Sequence, residues 1–233
     1  MTNPVNQLSR RAIYRFKRYF VTPIGVIPIS YIARFLPRNP IVVEAGAHRG
    51  YDTLAMSKYW PSGHIYAFEP VPSLFALASQ RIARQHNVSC YPLALGNAVG
   101  SARMYVSGGA SDASSSLLPP KEHLSDHTDV TFPQEIKINT TTLDAWAEAN
   151  QITRVDFLWL DMQGYELAAL KAAPKILGTV RAIHSEVYLK ESYAGVPLYP
   201  EVREYLQEQG FRVEREELPW TDAGNVLFVR ETL

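Results

Sequence analysis

Four carboxylates and one histidine stand at or near the ends of apolar runs: Glu44 in "IVVEAG", Glu69 in "HIYAFEP", Asp161 in "VDFLWLDMQGYELAAL", and His184 with Glu186 in "VRAIHSEVY". In an open α/β sheet, ligands sit in the crevice outside the carboxyl ends of the strands, so charges placed there reach a ligand. Asp161 has two readings. It is either a site residue or a cap on the helix pattern that follows Gly164, where it would satisfy backbone N–H groups at the positive end of the helix dipole. His184 and Glu186 alternate on one strand and therefore share a face. In "VVEAGAHRG", Gly46 falls in a turn and Gly50 where a helix begins, with Ala47 and His48 between them. Glycines there let the backbone approach a ligand closely. The spacing is neither the dinucleotide G-x-G-x-x-G nor a phosphate-binding G-x-x-x-x-G-K-[ST]. Glu44 favours a cationic or amino-bearing ligand over an anion. Glu69 lies 23 residues after Gly46, the place from which an acidic side chain accepts hydrogen bonds from two ribose hydroxyls in nucleotide-binding α/β folds.

The elements that must position these groups alternate along the chain. "IVVEAG", "HIYAFEP" and "VSCYPLAL" read as strands, separated by the helical patterns "YDTLAMSKYW" and "SLFALASQRIARQH". Strands and helices in that order imply parallel crossovers. "SARMYVS" and "EIKINTTTL" are extended, and the Ser-, Gly- and Pro-rich stretch at about 108–133 between them has the length of a lid or binding loop. "RVDFLWLD", "YELAALKAAPKIL", "VRAIHSEVY" and "YPEVREYLQEQG" continue the alternation, and "FRVERE" with "NVLFVRE" closes it as a pair of strands. The expected organisation is a basic N-terminal helical arm over 1–40 and one doubly wound domain over 41–233.

Composition sets limits. A chain of 233 residues with 46% hydrophobic and 20% charged content has the makeup of a soluble globular protein with a sizeable core. The single cysteine, Cys90, excludes an internal disulfide framework and a multi-cysteine metal site, and fits a reducing, cytoplasmic setting. No charged n-region followed by a clean apolar h-region opens the chain, so secretion is not expected. The net charge of zero conceals an asymmetry: the first 43 residues carry Arg10, Arg11, Arg15, Lys17, Arg18, Arg34 and Arg38 and no acid. Leu8, Ala12, Ile13, Phe16 and Tyr19 fall near one helical face of this arm. That face either packs on the main domain or lies on anionic lipid as a peripheral contact at the inner face of a membrane. Only fifteen uncharged residues separate Arg18 from Arg34, short of the roughly 20 needed for a membrane span. One short basic patch on an acidic body does not make a nucleic-acid interface.

Taken in order, "VVEAGAHRGYDTLAM", "IYAFEPVPSLFALA", "PLALGNAVGSARMYVS", "ASSSLL", "TTLDAW", "VDFLWLDMQGYELAALKAA" and "IHSEVY" resemble the FkbM family of S-adenosylmethionine-dependent methyltransferases over roughly residues 41–230. The resemblance implies the class I methyltransferase, Rossmann-like α/β fold, with a mostly parallel seven-stranded sheet whose last strand is antiparallel. It implies that Glu44, Gly46 and the nearby Ala47, His48 and Gly50 hold the methionine part of S-adenosyl-L-methionine, and that Glu69, with Pro70, holds the ribose. Ser115 and Asp161 are further candidates for the cofactor site. Family members typically methylate hydroxyl oxygens, often on sugars, glycolipids or polyketides. Two positions depart from the family: Gln163 stands where the Asp-x-Glu-Gly-x-Glu pattern has its first Glu, and His48 where Asn is common.

Methyl transfer from a sulfonium needs chiefly an aligned nucleophile, and proximity and orientation supply about 7–11 kcal/mol in favourable cases. A hydroxyl also needs its proton removed. Asp161, with Glu186 or His184, is the expected catalytic set. Asp161, Glu186 and Asp222 are candidate ligands for a divalent cation that would acidify the hydroxyl. His123 and His127 lie four apart and could flank a metal on a helix, although Asp126 and Pro120 around them read as an ordinary loop. The competing functions are an N-methyltransferase acting on a small amine and a non-catalytic cofactor-binding module, the latter motivated by Gln163. A hydroxylated small molecule or glycan is the expected partner, and self-association stays open.

Overall fold

The computed structural model describes residues 24–231, so the basic patch and apolar face expected within residues 1–23 lie outside the described residues. The chain enters through a short helix α1 (Ile29–Ile32) and a 3₁₀ turn (Ala33–Phe35). It then builds β1 (Ile41–Ala45), α2 (Tyr51–Tyr59), β2 (His64–Phe68), α3 (Pro72–Ile82) and β3 (Val88–Tyr91). After the excursion described below come α5 (Leu143–Ala149), β7 (Phe157–Leu160), α6 (Glu166–Lys171), α7 (Pro174–Leu177), β8 (Ala182–Tyr188), α8 (Tyr199–Glu208), β9 (Phe211–Glu217) and β10 (Ala223–Arg230). The main sheet has the order β3-β2-β1-β7-β8-β10-β9, with β10 antiparallel to both neighbours. This is the expected mostly parallel seven-stranded sheet with an antiparallel last strand. The order reverses between β1 and β7, the switch point at which doubly wound sheets open a crevice.

The strands are apolar on both faces because both faces are covered. Val43, Leu158, Leu160 and Ile183 pack with Trp146, Leu167 and Leu206 on one side. Val42, Phe157, Trp159 and Ala182 pack with Ile27, Ile32, Met56 and Trp60 on the other. The two-residue period thus sends Val42 and Val43 to opposite layers. It also shows what residues 24–36 do: Ile27 and Ile32 are fully buried against the sheet and form part of the core. Among the described residues no helix is long and apolar enough to cross a membrane.

The excursion between β3 and α5 is more ordered than its composition suggests. β4 (Ala94–Leu95), β5 (Gly100–Gly109) and β6 (Val130–Thr141) form a second sheet of order β4-β6-β5, in which β5 and β6 are antiparallel. Strand pairing runs into both ends of the segment expected to be irregular, so the connecting loop spans 110–129 and contains a short helix, α4 (His123–Asp126). The loop is tied down by an antiparallel bridge between Tyr105 and Ser116.

Candidate active site

β1, β2, β7 and β8 all deliver acids to the carboxyl edge of the sheet. Glu44, the penultimate residue of β1, is 1% exposed, and the Thr53 hydroxyl on α2 donates to its Oε2. Burial, with Asp52, Glu69 and Asp161 nearby, pushes its pKa up to about 8. Asp52, in the first turn of α2, is pushed up to about 6 by burial and by Asp161. Glu69 follows β2; its Oε1 accepts from the Val71 N–H at 2.9 Å and its Oε2 from the His48 N–H at 2.7 Å, yet burial still takes it to about 7. Buried acids that resist ionisation in one another's company are what a cationic ligand relieves. Backbone donors leave lone pairs on Glu69 for further donors such as ribose hydroxyls.

The glycine-bearing turn is held against Asp161 itself. Gly46, at φ +90°, and Ala47 both donate from their backbone N–H to the Phe68 carbonyl at 3.0 Å. Gly50, at φ +71°, caps α2 where that helix crosses α3; a Cβ there would stand 3.2 Å from the Ala78 Cα. His48 occupies the left-handed region at φ 51°, uncommon for a residue other than glycine and one that His, like Asn and Asp, enters more often than most. Its ring Nε2 pairs with Asp112 Oδ1 at 3.0 Å, and Arg49 binds the other carboxylate oxygen of Asp112. Burial opposes ionisation of Asp112, but Arg49 and His48 outweigh it and take its pKa down to about 2. Two consecutive residues of the turn therefore clasp the 110–129 loop. Pro70 lies directly after Glu69 and before α3. Ser115 acts on the loop: its Oγ accepts from the Ser107 N–H at 3.0 Å.

Asp161 follows β7 and is exposed, whereas Gln163 and Glu186 are each 8% exposed. The Gln163 Nε2 donates to Asp161 Oδ1 at 2.7 Å and to Glu186 Oε2 at 2.6 Å. The Tyr188 hydroxyl also donates to Glu186 Oε2, at 2.7 Å. The structure therefore unites Asp161 with Glu186 and puts the unexpected amide between them. Glu166, the remaining acid of the motif, serves the backbone. Its Oε1 accepts from the Met162 N–H at 2.7 Å and pins the turn, with burial taking its pKa to about 7.

Two sequence expectations are corrected. His184 shares the Glu186 face, but its ring stacks on Trp159 at 4.0 Å and is 3% exposed; burial drops its pKa to about 3, so it packs as a neutral ring inside the sheet's cover and is not presented with Asp161. Asp222 is not gathered with Asp161 and Glu186: its carboxylate meets His127 Nε2 at 2.8 Å. Among the described residues no group of three or more His, Cys, Asp or Glu side chains is placed to hold a metal ion, which also applies to His123 and His127. Asn225 donates to the Gly25 carbonyl at 2.8 Å. Sequence reasoning missed Asp52, Asp112 and Tyr193, whose hydroxyl donates to Gln163 Oε1 at 3.0 Å. The first had a legible signal, an acid in the first turn of a helix that starts at Gly50; the other two act from loops with no periodic pattern.

The FkbM methyltransferase domain model matches residues 44–213. The 2-O-methyltransferase NoeI of Sinorhizobium fredii is 26% identical over 162 residues, covering 67% of each chain. Methyltransferase sdnD of Sordaria araneosa is 23% identical over 241 residues, covering 92% of this chain and 90% of its own. The crystal structure of Methyltransferase FkbM from Methylobacillus flagellatus KT superposes with a TM-score of 0.54 at 12% identity, covering 82% of this chain and 44% of that one, and shares the fold.

Proposed function

The chain belongs to the FkbM methyltransferase family, and on that premise we propose that this S-adenosylmethionine-dependent methyltransferase methylates a hydroxyl oxygen of a sugar or glycan. One observation carries the reading: Asp161 and Glu186 are joined through one amide at the sheet edge that also bears Glu44 and Glu69. The 2-O locant in the name of NoeI supports oxygen as the acceptor atom and a polyhydroxylated acceptor.

The residues present suit the cofactor. Glu44, poised to bind or release a proton near neutrality, suits an α-amino cation. Glu69 suits the ribose diol, and the backbone of Gly46, Ala47, His48 and Gly50 suits close approach of the methionine part. Pro70 and Ser115 shape that site through the chain and loop they fix. S-adenosylmethionine, when bound, supplies an electrophilic methyl group whose C–S bond breaks as the new C–O bond forms, leaving S-adenosylhomocysteine.

Asp161, exposed at the end of β7, accepts the hydrogen of the acceptor hydroxyl and takes the proton as the oxygen attacks. Glu186, fixed by Gln163 and Tyr188, orients the acceptor from β8. His48, Arg49 and Asp112 tie the 110–129 loop to the glycine turn, where it would shield a bound cofactor from water. The test is incubation with methyl-labelled cofactor and a panel of methyl glycosides and glycan extracts, followed by mass spectrometry. One labelled O-methyl group is the expected product; label found only on amines, or on nothing while the cofactor binds, overturns the reading.

The charge of the N-terminal arm supports a further part of this reading, peripheral contact with anionic lipid. Because Ile27 and Ile32 belong to the core, the truncation that tests it ends at residue 22. Loss of binding to anionic vesicles supports the contact, and unchanged binding rejects it.

A further inference from the structure

Gln163 departs from the acid usual at its place in the "DMQGYE" motif, and every polar atom of its side chain is engaged. An amide NH₂ has two hydrogens, and here one is directed to Asp161 Oδ1 at 2.7 Å and the other to Glu186 Oε2 at 2.6 Å. Its Oε1 faces the Tyr193 hydroxyl at 3.0 Å, which also lies 2.8 Å from the Ser114 carbonyl. The opposite amide orientation would bring Oε1 against two carboxylates, so the network fixes which end is which. The main chain is fixed as well. The Gln163 carbonyl accepts from the Ser116 hydroxyl at 2.7 Å, and the residue is held at φ 55°. A buried side chain in a strained backbone conformation is maintained only where its surroundings over-determine it.

We propose that Gln163 is a positioning residue that clamps Asp161 and Glu186 together through one hydrogen each, so that the two carboxylates present their remaining lone pairs to the acceptor as a unit. The inference rests on the methyl-transfer reading for its consequence, but its geometry stands apart from it. Gln163 touches neither acceptor nor cofactor; it acts through the two acids. A glutamine can do this where an acid cannot, because it is neutral and donates twice. Leucine would leave two carboxylates side by side without the shared donor. Glutamate, the family's usual residue here, would donate one hydrogen at most, and only while it held its proton among the other two acids.

Two measurements test the clamp on the full chain. The first is the side-chain amide signal of Gln163 by ¹⁵N–¹H NMR with S-adenosylhomocysteine bound, assigned by its loss in Q163L. Both protons are expected downfield of the other glutamine amides, with D161N moving chiefly one and E186Q chiefly the other. Ordinary glutamine shifts, or a signal indifferent to both variants, overturn the proposal. The second compares Q163L with Q163E at pH 8 and below on whichever glycoside accepts label from the cofactor. The expectation is a kcat about a hundredfold lower for Q163L, with cofactor affinity within about twofold, because misplacement by an ångström costs that much. Q163E, which donates one hydrogen at most and only while protonated, is expected to lie between Q163L and the unaltered chain, with its kcat falling as rising pH ionises the third carboxyl. Unchanged kcat in Q163L, or Q163E matching the unaltered chain at every pH, rejects the clamp and leaves the methyl-transfer reading intact. If no hydroxylated acceptor takes label, that reading fails while the NMR measurement still decides the clamp.

Discussion

The carbonyl oxygen of Asp161 occupies the space where Gly46 would carry a side chain: a Cβ on Gly46 would stand 1.9 Å from it. The glycine turn proposed to hold the cofactor and the proposed base Asp161 are thus in backbone contact across the β1–β7 switch point, where Asp161 also donates its N–H to the Ala45 carbonyl at 3.0 Å. A shift of one moves the other.

G46A should therefore cost both stability and cofactor binding. The left-handed φ and the backbone clash together predict a loss of about 2–6 kcal/mol, since strain and overpacking each contribute roughly 1–3. Thermal unfolding and a calorimetric titration with S-adenosylmethionine would measure it; a normal melting temperature with normal affinity would refute the contact's importance.

The buried acids predict a pH dependence. Glu44, Glu69 and Asp52, with pKa values pushed up to about 8, 7 and 6, favour their protonated forms in the free protein. Stability from these groups is present at low pH and is lost as pH rises from the unfolded carboxylate range through those values. A cationic ligand favours the ionised forms, so cofactor affinity should rise from pH 6 to about pH 8.5, by up to tenfold per unit for each proton released. The thermal shift produced by S-adenosylmethionine should grow over the same interval. Affinity that is flat or falling across it would count against cation binding at Glu44.

D112N should loosen the clasp between the 110–129 loop and the glycine turn. Hydrogen bonds to charged groups contribute about 1.5–3 kcal/mol, and Asp112 is partly exposed, so a cofactor Kd raised about threefold to thirtyfold is expected with little change in melting temperature. Stopped-flow dissociation would locate the effect in a faster off-rate.

D161N should lower kcat by about 10²–10⁴, the range of general base catalysis, while cofactor affinity changes little. H184L provides the contrast. Among the described residues the buried His184 Nδ1 meets no hydrogen-bond partner, and an apolar side chain against Trp159 should leave kcat within about threefold. A kcat loss in H184L comparable to that of D161N would restore histidine to the mechanism.

The sequence goes further on elements than on contacts. Apolar runs such as "IVVEA" and "FLWL" with helices between them carry the sheet, because strand and helix periods are local properties of the chain. Glycine marks the right boundary at Gly50 for the same reason. The irregular stretch expected at about 108–133 is shorter in the structure, because the antiparallel pairing of β5 with β6 depends on two segments finding each other and neither has a distinctive pattern.

For the site, the sequence by itself determined which carboxylates reach the carboxyl edge: Glu44, Glu69 and Asp161 end strands, and the position of a strand end follows from the local pattern. It also determined that His184 and Glu186 share a face, since alternation is built into the strand. Only the tertiary structure decided what those neighbours are. The register of β7 against β8 sets His184 opposite Trp159 and stacks the two rings. Loop packing brings Asp112 across 64 positions to His48 and carries Tyr193 to Gln163. The Gln163 amide spans 23 positions to Glu186 and two to Asp161, a contact that no period encodes because it exists only once two adjacent strand ends are packed side by side.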